Sequence, residues 1–566
     1  MNARRIFGID LGTTYSCIAH VDENGKPVVI PNSDNEPTTP SAVYFENKDN
    51  IVVGKQAKNY AKIDEKRVRT LFKRSMGLPD PIIEADGVTY TPEHVSAYVL
   101  RQLAKDAEQA LGEPVTDVVI TCPAYFGTAE RTATEQAGKI ADLNVHYVLS
   151  EPTAAAIYYG VTRSTESEVV LVYDLGGGTF DVTVISIQPD EIRVVCTNGD
   201  HNLGGKDWDD QIVHHLAEQF CAEHPALGNP LDEPSVVQEL YILAEEAKKA
   251  LSLKEKAPVW VSFGGERTRV DLTRAKLEEL TSALLERTIG FTRRVVEEAA
   301  SLGFAKIDRM LLVGGLSKMP IVSRRLQEVL ALSPQMLEPD LAVAKGAALM
   351  GMHMLAGKQL REVIAQQTGT AAEAVDLTAM DEATLKAAAQ ELGSQSPSME
   401  FLSSASLLQA AVRKVTNVCS KAFGICIWNP EREGGKGGEE VTHLIPRNTP
   451  LPANVTEEFG TVDAGQTRVL IQVMEQSGEV ATKELCDNKE LARGVIPDLP
   501  AGLPAGSPIE VRMTLTEDGL LLCHAAHRPS GRELKVDVKI TGTSSDEEVA
   551  KARGLMLSQN VKGEVS

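Results

Sequence analysis

Two short segments of this chain place an aspartate, glycines and threonines directly after an apolar run. Asp10-Leu-Gly-Thr-Thr14 follows residues 6–9, and Asp174-Leu-Gly-Gly-Gly-Thr179 follows residues 169–173. Glycines let backbone N–H groups approach phosphate oxygens, and threonine hydroxyls add further donors. An aspartate at a strand end can hold a hydrated Mg²⁺, an ion that keeps most of its waters in proteins. The two segments therefore predict a pair of facing β-hairpins that clamp a nucleoside triphosphate between two lobes.

The periodicity of apolar residues predicts the elements that position these turns. Residues 1–355 alternate strand-like and helix-like runs, which is typical of layered α/β domains. The predicted elements that surround the second turn are strands at 115–123, 145–149 and 310–313 and helices at 128–142, 151–159, 236–252, 277–301 and 320–330. A chain of 566 residues is too long for one ordinary core, so we expect several domains.

The second half of the chain changes pattern twice. Residues 356–412 are rich in Ala, Gln and Glu and poor in aromatics, and they predict helical pieces in a connector without a core of its own. From residue 415 to 542 apolar and polar residues alternate, as at 469–473, 509–513 and 534–540, which predicts a compact all-β domain. Ser545 followed by Glu548 is a capping-box pattern and predicts one short helix.

Composition narrows the class of protein. The net charge is −22, from 57 basic and 79 acidic residues, which argues against a nucleic-acid partner and against an anionic membrane surface. We expect no secretory signal and no spanning helix, because no uncharged apolar run approaches about 18 residues. Eight scattered cysteines without a Cys-x-x-Cys pair predict reduced thiols and a cytoplasmic location.

Further motifs follow the two turns in a fixed order. They are Cys122-Pro-Ala-Tyr-Phe126, Glu151-Pro-Thr-Ala-Ala-Ala156, Leu203-Gly-Gly205 and Leu312-Val-Gly-Gly315. Together with the turns they resemble the heat-shock-70 (DnaK-type) chaperone family. The resemblance implies an α/β, two-lobed actin/hexokinase-like ATPase domain at 1–355, followed by an all-β sandwich resembling a peptide-binding domain at 415–542. A helical connector at 356–414 would join them, and 543–566 would form a short C-terminal helix or tail.

The resemblance also implies the roles of individual residues. Lys73 matches the catalytic lysine, Glu151 and Asp181 match the carboxylates that orient the attacking water, and Asp10 and Asp174 match the pair that holds Mg²⁺ through waters. The phosphate-binding set would be Gly12, Thr13, Thr14, Tyr15, Gly176, Gly177, Gly178, Thr179, Gly204 and Gly205, with Thr179 also catalytic. The purine- and ribose-binding set would be Glu245, Lys248, Lys249, Ser252, Gly314, Gly315, Lys318 and Asp340. From the residues alone, the expectation for Lys73 is a solvated surface lysine next to Arg74 rather than a catalytic group.

Some positions of the adenosine site depart from the family. Lys249 and Lys318 stand where arginine is usual, and Leu316 replaces a usual serine. Arginine stacks flat on a purine whereas lysine does not, so we expect altered nucleotide affinity or exchange. Lys206 stands where an acid is common, and its effect stays open.

The second half resembles the family less closely. By position, Ile425, Phe459, Val469 and Ile471 would line a pocket for an apolar peptide side chain, with Trp428 nearby, although alternating apolar residues also describe the plain core of a sandwich. The usual acidic-leucine linker is missing, residues 427–440 predict a longer loop, and too few residues follow 542 for the helical lid.

These patterns support three hypotheses. The first is a molecular chaperone of protein folding and the stress response, which hydrolyses ATP to ADP with Mg²⁺ and binds exposed apolar segments of unfolded proteins. Its partners would include a J-domain co-chaperone and a nucleotide-exchange factor, and neither nucleic acid nor membrane. The second, motivated by the missing lid and linker, is a nucleotide-switched regulatory protein with one specific protein partner. The third, a sugar or metabolite kinase, is disfavoured because the β-domain has no evident role in it.

Overall fold

The computed structural model describes residues 5–163, 167–395, 411–432, 437–478, 480–517, 519–536 and 543–563.

The first lobe (lobe I) is built on a mixed sheet with the strand order β11-β10-β1-β2-β3, and β4 pairs with β2. Its strands are β1 (Ile6–Asp10), β2 (Tyr15–Val21), β3 (Pro27–Ile30), β4 (Thr39–Pro40), β5 (Ala42–Asn47), β6 (Asn50–Val53), β7 (Val68–Thr70), β8 (Ile83–Ala85), β9 (Val88–Tyr90), β10 (Asp117–Cys122) and β11 (Asn144–Ser150). Its helices are α1 (Lys55–Tyr60), α2 (Pro92–Leu111) and α3 (Thr128–Ile140), and α4 (Glu151–Arg163) leads out of it.

The second lobe (lobe II) repeats the arrangement with the order β18-β17-β12-β13-β14. Its strands are β12 (Glu168–Leu175), β13 (Phe180–Ile187), β14 (Glu191–Asp200), β15 (Lys256–Phe263), β16 (Glu266–Thr273), β17 (Arg309–Val313) and β18 (Pro334–Met336). Its helices are α5 (Gly205–Glu223), α6 (Pro234–Leu253), α7 (Arg274–Leu280), α8 (Ser282–Ser301) and α9 (Pro320–Leu330). In both lobes the strand that ends in the aspartate, β1 or β12, pairs in parallel with one neighbour. It then continues through a hairpin turn into an antiparallel neighbour.

The predicted single helix at 277–301 is two helices, which corrects that expectation. The break lies at Thr281, whose hydroxyl donates to the Leu277 carbonyl at 2.8 Å. A side-chain bond of this kind competes with the backbone ladder of a helix.

A long helix, α10 (Ala342–Thr368), lies between the lobes and continues past the predicted domain boundary at residue 355. Its small residues Ala344, Ala347 and Ala348 share one buried cluster with Ile6 of β1 and Val170 of β12. A Cβ on Gly8 would lie 2.1 Å from the Ala348 backbone nitrogen, so β1 can pack this closely only because residue 8 has no side chain.

The expectation that the connector lacks a core is wrong for its described part. Leu360 and Ile364 of α10 are buried with Leu385, Ala388 and Leu392 of α11 (Glu382–Gln395), and together they form a small separate cluster. The helical spacing of these apolar residues places them on the sides of α10 and α11 that face each other. Residues 396–410 of the predicted connector lie outside the described residues.

The β-domain is a sandwich of two four-stranded sheets with the orders β21-β20-β23-β24 and β22-β25-β26-β27. The strands are β20 (Phe423–Asn429), β21 (Gly438–Ile445), β22 (Ala453–Gly460), β23 (Val469–Gln476), β24 (Asn488–Ile496), β25 (Pro508–Leu515), β26 (Leu521–His527) and β27 (Arg532–Val536). The prediction of a longer loop at 427–440 is wrong at both ends, because residues 427–429 and 438–440 pair with each other in β20 and β21. Residues 433–436 of that loop and 537–540 of the predicted last strand lie outside the described residues. The preceding strand β19 (Lys414–Thr416) pairs in parallel with β14 and so extends the sheet of lobe II.

The chain then returns to lobe I. The predicted C-terminal helix is confirmed as α12 (Asp546–Ser558), with the Ser545 and Glu548 capping box in place. It is followed by β28 (Asn560–Lys562), which pairs with β6 in a sheet of order β28-β6-β5-β7. All eight cysteines belong to the described residues, and none of them forms a disulfide. Within the ranges given above, no helix is long and apolar enough to cross a membrane.

Candidate functional site

A cavity of about 610 Å³ opens between the two lobes where the two hairpins face each other. Most of the residues predicted for a nucleotide site line it. They are Asp10, Gly12, Thr13, Thr14, Tyr15, Lys73, Glu151, Asp174, Gly176, Gly177, Thr179, Gly205, Glu245, Lys248, Lys249, Ser252, Gly314, Gly315, Lys318 and Asp340.

Three predicted residues lie behind the cavity wall. Asp181 is opposite Asp174 across the hairpin, and its Oδ1 accepts the Tyr125 backbone N–H at 2.9 Å. Gly178 and Gly204 pack backbone against backbone, and a Cβ on Gly204 would lie 2.7 Å from Gly178. These two glycines let neighbouring loops close on each other beneath the site.

The hairpin turns of the two lobes touch directly. A Cβ on Gly177 would lie 2.2 Å from the Thr14 Oγ1, and one on Gly178 would lie 2.3 Å from a Thr13 methyl. Backbone N–H groups and threonine hydroxyls from both lobes therefore surround the same space. This is the facing pair of turns that the sequence predicts, and it suits a chain of phosphates.

Lys73 is buried rather than a surface lysine. It lies in the 3₁₀ turn Phe72–Ser75 with 3% of its surface exposed, and its Nζ is 2.5 Å from Glu151 Oε1. Burial alone would lower the pKa of Lys73, but the negative charges of Glu151 and Asp10 outweigh it and raise the pKa. The lysine therefore holds a fixed positive charge at the floor of the cavity.

The carboxylates around Lys73 carry more negative charge than it can balance. Burial, followed by the charge of Glu151, raises the pKa of Asp10 to about 7 and that of Asp181 to about 7. The same two causes, in the same order, raise the pKa of Asp174 well above its ordinary value. A divalent cation at this place would relieve the excess charge, and carboxylate oxygens are the ligands that Mg²⁺ prefers.

The donor set fits a cation that keeps its waters. In the described ranges no group of three or more His, Cys, Asp or Glu side chains converges on one metal position. Two aspartates at the ends of β1 and β12, aided by water, suit Mg²⁺ because it dehydrates reluctantly. Asp10 and Asp174 would hold it, next to the phosphate-side turns.

The opposite end of the cavity is bridged by charged groups from both lobes. Glu245 of α6 accepts a hydrogen bond from the Tyr15 hydroxyl at 2.9 Å, and its Oε1 lies 2.7 Å from Lys249 Nζ. Its second oxygen pairs with Lys58 of α1. Although burial opposes it, the charges of Lys58 and then Lys249 lower the pKa of Glu245 to about 2. Lys58 was missed because it belongs to no motif and lies far from Glu245 in the sequence.

Lys248 has a partner that sequence reasoning also missed. Its Nζ lies 2.7 Å from Asp209 Oδ1 and donates to the Gly205 carbonyl at 2.9 Å. Burial raises the pKa of Asp209 to about 6. Asp209 lies one turn of α5 after Gly204 and Gly205, and this position in the sequence could have indicated that it belongs to the site. The other lining residues outside the predicted set are Cys17, Glu36, Thr38, Leu253, Val313, Leu316, Met319, Pro339 and Val343.

Two departures from the family pattern have visible partners. Lys318 pairs with Asp340 at the rim of the cavity. Lys206 lies outside the lining, pairs with Asp210, and has its Nζ 4.8 Å from the centre of the Tyr241 ring. Lys206 thus stabilises contacts between α5 and α6 rather than contacting the cavity.

The residues predicted to bind peptide do not line one open pocket. Ile425 and Ile471 are buried in the core between the two sheets of the sandwich, and Phe459 and Val469 pack against that core from both sheets. Trp428 is 47% exposed. These four side chains therefore belong to the core of the sandwich, which is the alternative that the alternating pattern left open. Of the five predicted residues, only Trp428 faces outward.

Comparison with known families agrees with this geometry. The family model described as Hsp70 protein matches residues 6–370 and 435–563, which is most of the chain. The unmatched stretch, 371–434, contains α11, β19 and β20. The two-lobed ATPase architecture and the β-sandwich are those that the family implies. From this match and this architecture, we conclude that the chain belongs to the Hsp70 family.

Proposed function

We propose that this protein binds ATP between the lobes, hydrolyses it with Mg²⁺, and uses the nucleotide state to govern a chaperone-like β-domain. Hsp70-family proteins are ATPases that bind ATP or ADP with Mg²⁺. The observation that carries the proposal is the buried Lys73–Glu151 pair, 2.5 Å apart, beside the two aspartates Asp10 and Asp174. A surface turn without a function would not keep these four ionisable groups out of water.

The residues of this chain would divide the work as follows. The turns around Thr14 and Gly177 bind the phosphates through backbone N–H groups and hydroxyls. A bound Mg²⁺ would neutralise charge on the phosphate oxygens. Lys73 places a positive charge beside the transferred phosphoryl group, where positioning and electrostatics supply most of the catalysis. Glu151, which lines the cavity, would accept a hydrogen bond from the attacking water and so orient it, and Asp181 would assist from behind the cavity wall, opposite Asp174.

For the β-domain, we propose weak binding of exposed apolar segments of unfolded proteins. Family membership supports this activity, together with a J-domain co-chaperone and a nucleotide-exchange factor as partners. Trp428, near the end of β20, is an exposed aromatic side chain among the described residues of the β-domain and is available for such contacts.

One observation favours a second candidate, a nucleotide-switched regulatory protein with a single protein partner. Ile425 and Ile471, which were predicted to line the apolar peptide pocket, are instead buried in the core of the sandwich. In that case the surface of the β-domain, rather than a peptide groove, would contact the partner.

ATP turnover of the full-length protein separates these candidates. The assay would compare turnover with and without an excess of an unfolded apolar peptide, and a charged peptide of equal length would serve as the control. Stimulation by the apolar peptide alone supports the chaperone. Turnover without any response supports the regulatory protein, and no turnover with ATP and Mg²⁺ contradicts both ATPase proposals.

A further inference from the structure

The segment 543–563, which we call the C-terminal clamp, is built into lobe I. It consists of the start at Thr543, helix α12 and strand β28. Its buried side chains Val549, Ala552, Met556 and Val561 belong to the same hydrophobic cluster as the core residues of lobe I. Removing the clamp would expose that cluster to water, which is unfavourable in proportion to the apolar area uncovered.

Buried polar groups of lobe I also depend on the clamp. The Tyr98 hydroxyl donates to Gln559 Oε1 at 2.5 Å, and Gln559 Nε2 donates to the Lys48 carbonyl at 2.9 Å. Lys105 Nζ donates to the Val561 carbonyl at 2.9 Å. A buried hydroxyl or amide that loses its hydrogen-bond partner carries a desolvation penalty. These bonds therefore favour the state in which the clamp is packed on lobe I.

At its start the clamp is pinned by a reciprocal pair of hydrogen bonds. Gln136 of α3 donates to the Ser544 carbonyl at 2.6 Å and accepts from the Ser544 N–H at 3.1 Å. At its end β28 pairs with β6, which would otherwise be the edge strand of its sheet. Unpaired edges are exposed to water and to other chains, and β28 covers this one.

The β-domain is thus anchored to the ATPase domain at both of its ends. At the first end, β19 pairs with lobe II, and Val418 already bridges to Pro450 inside the β-domain. At the second end, Val536 of β27 and Thr543 of the clamp are joined by a stretch that can span at most about 25 Å. The β-domain can therefore move far from lobe I only if the clamp detaches from lobe I.

We propose that the C-terminal clamp keeps the β-domain docked on the ATPase domain in both the ATP and the ADP state. The nucleotide signal then passes through contacts at a standing interface instead of through release of the domain. The inference goes beyond the proposed function and holds whether the β-domain binds apolar peptides or one specific partner.

A reversible cross-link tests whether the clamp opens during the cycle. Asn560 Nδ2 lies 3.3 Å from Asn50 Oδ1, so the two side chains are adjacent across β28 and β6. The double variant Asn50→Cys/Asn560→Cys, with exposed Cys486 changed to Ser, is oxidised to join them. We expect ATP turnover of the oxidised and reduced forms to agree within about twofold. A turnover that falls tenfold on oxidation and returns on reduction would overturn the proposal; the single variant Asn560→Cys controls for the oxidant.

Hydrogen exchange of the unmodified full-length protein gives an independent measurement. We expect the amides of β28 and of β19 to exchange at rates that agree within about threefold in ADP and in ATP. Full loss of protection at β28 in either nucleotide state would contradict the clamp.

A matched pair of variants tests whether the clamp is the cause. Val561→Asp places a charge at a buried position, and Leu557→Asp places the same charge at a position that is 51% exposed. Exchange at β19 should become nucleotide-dependent in Val561→Asp alone. If both variants keep equal protection in ATP and ADP while β28 is released in Val561→Asp, another contact holds the β-domain and the proposal fails. Should Val561→Asp not fold, the cross-link still decides.

Discussion

The Glu475 carboxylate of the β-domain accepts a hydrogen bond from the backbone N–H of Thr128 at 3.1 Å. Thr128 is the first residue of α3 in lobe I, so a side chain from one domain caps a helix of the other. The N-terminal N–H groups of a helix lack partners within the helix and favour a negative charge. Gly127, which precedes Thr128, leaves room for this approach, because a Cβ there would lie 2.7 Å from Glu475 Oε1.

The same turn of lobe I contacts the predicted catalytic centre. The Tyr125 N–H donates to Asp181, while the centre of the Tyr125 ring is 3.4 Å from Lys421 Nζ of the β-domain. The Phe126 carbonyl accepts the Ser420 hydroxyl at 3.0 Å. The turn therefore touches the β-domain on one side and the proposed water-orienting carboxylate on the other.

The stability of this interface should depend on pH through Glu475. Burial and then the charge of Glu130 raise the pKa of Glu475 to about 7, against the opposing effects of the Thr128 N–H, Lys421 and Lys489. Because the folded pKa exceeds the ordinary value of 4.5, the stabilisation is complete below about 4.5 and is lost as pH rises through about 7. Relative to Glu475→Gln, the wild type should lose about 2–3 kcal/mol in free energy of unfolding between pH 5 and pH 8.

Urea titrations of both proteins across this range measure that difference. Glu458→Gln, at an exposed position of β22, is the control and should follow the wild type. A difference between the wild type and Glu475→Gln that stays constant with pH would show that Glu475 titrates as it does in water.

Lys73→Ala should abolish most ATP turnover while leaving nucleotide binding within a few-fold of the wild type. The variant removes the buried positive charge beside the phosphoryl group, and the loss of one such group typically lowers kcat about 10²–10³-fold. Single-turnover hydrolysis and calorimetric ATP binding report the two quantities separately. Lys66→Ala removes a lysine at an exposed position of the same region and should change neither. Unchanged turnover in Lys73→Ala would rule out its proposed role.

Lys58→Ala should accelerate nucleotide release. Lys58 and Glu245 join lobe I to lobe II across the mouth of the cavity, and both side chains are largely buried. We expect the dissociation rate of a fluorescent ADP analogue to rise about tenfold, which corresponds to about 1.4 kcal/mol. Lys62→Ala, at an exposed position just after the same helix, is the matched control. If both variants release ADP at the wild-type rate, the bridge does not govern exchange.

Lys318→Arg should tighten ATP binding. A planar guanidinium can stack on a purine face and still pair with Asp340, whereas the Lys318 ammonium makes only the ion pair. A cation–π contact of about 0.5–1 kcal/mol predicts a dissociation constant two- to fivefold lower. Lys318→Met keeps much of the side-chain length without the charge and should not bind more tightly. Weaker binding by Lys318→Arg would place the purine away from this residue.

The sequence predicts the phosphate side of the site well because local patterns determine it. Asp10 and Asp174 end strands that run directly into Gly/Thr turns, so a few consecutive residues specify both the hairpin and its chemistry. The partners Lys58 and Glu475 could not be predicted in this way. Each acts through a contact between distant elements, and no spacing within the chain encodes such a pairing.

In the β-domain the limit has a different cause. A period of two predicts the strands, but it assigns residues to one of two faces without saying whether that face meets another sheet or a ligand. Ile425 and Ile471 fit both descriptions until the second sheet is in place. The connector shows a related limit, because an Ala-rich pattern predicts helices and leaves open whether α10 and α11 pack together.

The pairing of Asn560 with Asn50 joins residues 510 positions apart. During synthesis at about 5–20 residues per second, β6 therefore waits roughly 25–100 s for its neighbour β28. Throughout that interval the nascent chain carries an open strand edge and an uncovered apolar face on its earliest-made lobe. The earliest-made lobe therefore completes this sheet and its hydrophobic cluster only after residues 543–563 have been synthesised.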